Sequence, residues 1–142
     1  MKFSSRLVLP VLFASVLAGC ENSATAYKID GKDHALMLVR EQRWAWSDEI
    51  AQAVIAARLP KCQRRVAIWP GNGSGPDMEV YEAGDRLWAL QQGRRWYLAS
   101  TEKCQVQDWN DPPASPPGPL VGSFRMRDGV MVFEAVTGGA VK

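Results

Sequence analysis

Four side chains bring thiol and imidazole chemistry to this sequence: Cys20, Cys62, Cys104 and the single histidine, His34. Thiols with an imidazole can build a metal site or a nucleophile and base pair. The spacing argues against both. There is no Cys-x-x-Cys, and His34 offers one nitrogen donor where a familiar ligand set needs more. His34 stands in a polar stretch beside Asp33, and Ser47, Ser74 and Ser123 occupy no recognisable nucleophile setting. Carboxylate pairs such as Asp77 with Glu79, or Glu79 with Glu82, are what 15 acidic residues supply by chance. We therefore expect no catalytic residue, no metal and no cofactor, and hence no enzyme. Cys62 and Cys104 suit a disulfide in an oxidising compartment. Its closed loop of about 43 residues is worth about 4 kcal/mol by the unfolded-chain entropy estimate.

Arginine and tryptophan carry the remaining candidate chemistry, that of recognition. Trp44, Trp46, Trp69, Trp88, Trp96 and Trp109 are many for 142 residues, and their first use is core mass. Some can line a groove, because aromatic and arginine side chains also mark interfaces. Arg64, Arg65, Trp88, Arg94, Arg95 and Trp96 form the candidate binding surface. A hairpin turn centred on Gln92 pairs Trp88 with Trp96; one centred between Gln92 and Gly93 pairs Trp88 with Tyr97. Lysine and arginine number 17 against 15 aspartates and glutamates. Lys2 and Arg6 account for the excess, so the chain behind them is neutral in its side chains. That argues against a general polyanion surface and against a nucleic-acid partner.

Lys2 and Arg6 open an export pattern. An apolar run of about 11 residues follows, too short to span a bilayer, which takes about 20. It ends in Leu17-Ala18-Gly19-Cys20, which closely resembles the lipobox of bacterial lipoproteins. The resemblance implies that the Cys20 thiol receives a diacylglyceryl group, that cleavage precedes Cys20, and that its new amino group is acylated. Several acyl chains are what stable anchoring requires. Glu21 replaces the aspartate of the inner-membrane retention signal, which favours the outer membrane, facing the periplasm. The expected organisation is a signal peptide over 1–19, a lipidated start and short tether over 20–26, and one domain over 27–136. A tail follows over 137–142. About 120 mature residues suffice for one domain with a real core.

The elements that must position these groups follow from local pattern. A short strand is expected over 27–30, a turn at 31–33, and a strand over 35–44. Ser47, Asp48 and Glu49 read as a helix start, and Ile50, Val54 and Ala57 as a helical stripe, predicting a helix over 48–59 that Pro60 stops. A strand over 64–69 leads to a Gly-rich loop over 70–76. This loop lacks the Lys-Ser or Lys-Thr ending of a phosphate cradle. Strands over 80–83, 86–91 and 94–100 read as a meander, with an edge strand over 104–109. The proline-rich stretch 111–119 reads as a stiff polyproline connector. Arg127-Asp128-Gly129 marks a final hairpin. The expected fold class is α+β: a predominantly antiparallel sheet with one short N-terminal helix packed on it. The alternative is a small β-barrel with a lid helix.

These features point to a lipid-anchored envelope protein that binds another envelope protein as an accessory or assembly subunit. Two alternatives remain open: an inhibitor of a lysozyme-like cell-wall hydrolase, and a module that binds peptidoglycan or lipid directly.

Overall fold

The computed structural model describes residues 22–137. Residues 1–19, expected as a signal peptide, Cys20 and most of the expected C-terminal tail lie outside the described residues. Ten strands account for the regular structure among the described residues: β1 (Asn22–Asp30), β2 (His34–Glu41), β3 (Glu49–Arg58), β4 (Cys62–Asn72), β5 (Met78–Gly84), β6 (Leu87–Gln92), β7 (Arg95–Ser100), β8 (Gln105–Asp108), β9 (Leu120–Arg127) and β10 (Val130–Ala135). All pairings are antiparallel. Four strands form one sheet in the order β1-β2-β3-β4; six form the other in the order β10-β9-β5-β6-β7-β8. β1 lies against β10 and β4 against β8, without a ladder joining the sheets at either seam. The antiparallel sheet expectation holds, and among the described residues the two sheets do not close into a barrel.

The helix expected over 48–59 is a strand. β3 is one of the two inner strands of the first sheet, paired along its length with β2 (Val54 to Leu38) and with β4 (Val54 to Val66). Its segment is apolar on alternate positions as well as at helical spacing. Gln52, Val54 and Ala56 share one face; Ala53, Ile55 and Ala57 share the other. Periodicity alone cannot decide such a run. Ile50, Val54 and Ile55 are β-branched, and two ladders of long-range hydrogen bonds override the helical stripe. Ser47 still caps, but its hydroxyl accepts from the Glu49 amide at 3.2 Å to shape a turn rather than a helix. Asn22 to Ala26, expected as part of the tether, belong to β1.

The core lies between the sheets. Leu36, Leu38, Val54 and Ala56 from the first meet Met78, Val80, Trp88, Leu90, Tyr97 and Phe124 from the second. Trp88 is the register partner of Ala99, neither Trp96 nor Tyr97, because the β6–β7 turn is centred between Gly93 and Arg94. Gly93 has φ +60°, the left-handed conformation such a two-residue turn asks for. The shift sends Trp88 inward and Trp96 outward.

Each end of the sandwich is tied across the sheets. At one end the Cys62–Cys104 disulfide joins the start of β4 to the turn before β8, with a Cα separation of 6.0 Å. At the other end Gln52 of β3 and Gln92 of β6 exchange amide hydrogen bonds at 2.9 and 3.0 Å. The buried Arg40 donates to Gln52 Oε1 at 3.1 Å and to the Asn72 carbonyl at 2.8 Å. The proline-rich stretch carries the chain from β8 past β7, β6 and β5 to β9. It rejoins the sheet where the Glu82 amide donates to the Pro119 carbonyl at 3.0 Å.

Candidate recognition surface

The end of the sandwich held by the Gln52–Gln92 pair gathers the exposed aromatic and basic groups. Along β4, Ile68 pairs with Gln52 and Gly71 with Ile50, so Trp69 and Pro70 stand opposite Ala51 alone. This bulge turns Trp69 out, and the residue is 50% exposed. Its carbonyl stays tied to the interior, accepting from Gln52 Nε2 at 2.8 Å. Gly71 makes room for that amide: a Cβ there would lie 3.0 Å from Gln52 Nε2.

Arg95 opens β7 on the same parity as the buried Tyr97, and so points towards the mouth of the sandwich. Its guanidinium lies over the Trp69 ring, 3.7 Å from the centroid, in cation–π geometry. Trp96, of opposite parity, faces the outer side of the second sheet. It stacks on Tyr81 with centroids 5.7 Å apart and meets Trp109 edge-on at 5.9 Å. Burial and a hydrogen bond to the Glu79 carboxylate keep the Tyr81 hydroxyl protonated, its pKa pushed up to about 12.

Two grooves share Trp69, Arg94 and Arg95. One, of about 500 Å³, runs along Pro70, Pro76, Gln92 and the acidic Asp48 and Glu49. The other, of about 150 Å³, is closed by Trp96, Asp108, Trp109 and Pro112. Aromatic and proline side chains give them apolar walls, and both signs of charge line the rims. Such a surface matches a protein segment better than a uniform polyanion.

The sequence-predicted surface residues are thus only partly brought together. Arg94, Arg95 and Trp96 meet at these grooves. Arg64 and Arg65 sit on β4, away from that corner. Arg65 forms an ion pair with Glu41 at 3.2 Å and lines a different groove. Trp88 is 5% exposed, a core residue with its ring edge-on to His34, and has no place on the surface. Trp69 and Trp109 were absent from the predicted surface set. Trp69 carried one usable signal, the Pro-Gly that follows it and makes a bulge.

His34 lies at the far end. Its Nε2 is 2.6 Å from Thr101 Oγ1, and Asp30 is its register partner. That order of groups superficially suits a nucleophile and base. Thr101, however, is 0% exposed, and its carbonyl also accepts from Arg58 Nε at 3.1 Å. A fully buried hydroxyl is closed to substrate, so the His34–Thr101 contact ties β2 to the turn that follows β7. Among the described residues, no group of three His, Cys, Asp or Glu side chains converges as a metal site.

No family model matches the chain, and neither a curated protein nor a solved structure matches it.

Proposed function

We propose that this chain is a lipid-anchored envelope protein, without enzymatic activity of its own, that binds another envelope protein through the Trp69–Arg95 corner. The lipobox-like Leu17-Ala18-Gly19-Cys20 supports the anchor and an outer-membrane, periplasm-facing address. The observation that carries the binding role is Arg95 held over a half-exposed Trp69 between two grooves. Pre-positioned arginine and tryptophan are the side chains that most often anchor protein interfaces. The bulge and the hairpin turn fix both groups in the free protein, which lowers the ordering cost of association. An accessory or assembly role follows from the size of the domain and from grooves lined by recognition groups rather than reacting ones.

The test is photocrosslinking in cells from position 94, with position 61 at the far end as control. A single envelope protein captured from position 94, by the anchored form and not by Cys20→Ala, is the expected result. Equal capture from both positions would remove the corner from the interface. The inhibitor alternative is checked by adding the purified protein to lysozyme acting on cell walls.

A further inference from the structure

A second aromatic feature adjoins that corner, whose larger groove is lined by Asp48 of the same loop. The 42–48 loop between β2 and β3 presents Trp44 at 58% and Trp46 at 83% exposure, the rings stacked on each other at 5.3 Å. The loop is built to hold them there. The Ser47 amide donates to the Trp44 carbonyl at 3.0 Å, and Gln42 Nε2 to the Ser47 carbonyl at 2.8 Å. Trp44 also borders a groove of about 540 Å³ with Ala51, Ala53 and Ala67 of the adjoining sheet face. Two large rings fixed outward by their own loop need an occupant, because water is a poor neighbour for so much apolar surface.

The course of the chain supplies one. β1 starts at Asn22, whose register partner is Glu41, the last residue of β2 and the residue before this loop. Two peptide units separate Cys20 from Asn22, a Cα distance of at most about 7.6 Å. Because Asn22 is already in the ladder, only one residue of sequence, Glu21, separates the anchor position from the loop's end of the sandwich. Resting on the anchor reading, we infer that the Trp44–Trp46 loop is a membrane foot. Its rings insert at the headgroup level of the bilayer that holds the Cys20 acyl chains. Tryptophan is favoured at that depth, where an apolar body and an N–H can both be satisfied. Arg43, in the same loop, suits the phosphates of anionic lipid. The foot would set the orientation of the sandwich, with the loop's end, which also carries the Trp69–Arg95 corner, at the membrane surface and the disulfide end facing away.

The test uses the full-length, processed protein reconstituted in vesicles of phosphatidylethanolamine and phosphatidylglycerol with brominated acyl chains, which quench tryptophan emission on contact. Quenching of part of the wild-type emission is expected. It should be mostly lost in the Trp44→Phe/Trp46→Phe variant and retained in Trp69→Phe. Intact mass of the same preparations reports whether Cys20 is acylated. An unacylated, unquenched protein overturns the anchor reading and the foot together. An acylated protein that is unquenched, or quenched equally in the double variant, overturns the foot alone and returns the loop to a protein partner. Both tryptophans are exposed, so the variants should fold, and formation of the Cys62–Cys104 bond verifies it.

Discussion

The imidazole of His34, on the first sheet, reaches across to the hydroxyl of Thr101 in the turn that follows β7 of the second, Nε2 to Oγ1 at 2.6 Å. Burial holds the His34 pKa below its ordinary value; Asp30 pulls it up, while Arg58 and Arg86 push it further down. Between the two pKa values the unfolded chain binds more protons than the folded one, so stability rises with pH there. The His34 contribution is fully present above the unfolded value of about 6.5. It is lost as pH falls through that value towards the lower folded one. Urea midpoints measured from pH 7.5 downward should fall in this window, and His34→Gln should flatten that part of the profile. Glu102, held low by its hydrogen bond from Arg86, acts only at more acidic pH. An unchanged profile in the variant would show that His34 does not set it.

The Cys62–Cys104 bridge joins the sheets at the same end. Cys62→Ser with Cys104→Ser should cost about 2–4 kcal/mol, because the unfolded chain regains a long loop's freedom. Denaturant unfolding with and without reductant measures it; reductant should have no further effect on the variant.

At the opposite end, Gln52 bonds at once to Arg40, Gln92 and the Trp69 carbonyl. Gln52→Leu keeps the volume but removes an acceptor from a buried guanidinium. It should destabilise by about 2–4 kcal/mol, above the mean for a single hydrogen bond. It should also loosen Trp69, weakening capture from position 94. A double-mutant cycle with Gln92→Leu should give strong non-additivity, because the two amides share bonds.

Gly118 touches β5 so closely that a Cβ would lie 2.1 Å from the Glu82 carbonyl oxygen. Gly118→Ala must push the proline-rich crossover off its hydrogen bond, at a cost of roughly 1–3 kcal/mol. Gly73→Ala, in open space, is the control and should leave the thermal midpoint nearly unchanged.

Much of the second sheet was legible because its turns name themselves. Asp128 and Gly129 both have positive φ, as the Arg127-Asp128-Gly129 pattern required, and the three-strand meander fell between its glycines. The disulfide followed from cysteine arithmetic and is present. The first sheet was harder to read. β3 carries apolar side chains on both faces, so its period matched a helix as well as a strand. Neither turn centre expected for β6–β7 is the one that forms; the turn lies between Gly93 and Arg94, so Trp88 pairs with Ala99 and Trp96 with Gln91, on opposite faces of the sheet. The Gln52–Gln92 pair and the Arg95–Trp69 contact join residues far apart in sequence, with no local pattern to announce them.

The path of the crossover has a kinetic consequence. β9 docks on β5 only after the chain has looped out about 40 residues, a pairing of high contact order. Until then β5 is an open edge with unpaired amides, a ready template for a neighbouring chain. β10 must arrive with β9 before Thr25 Oγ1 of β1 can reach the Met131 carbonyl, 3.0 Å away. The first described strand and the last thus close the same seam. In chain order, the last pairings among the described strands are therefore the ones that cover both the β5 edge and this seam.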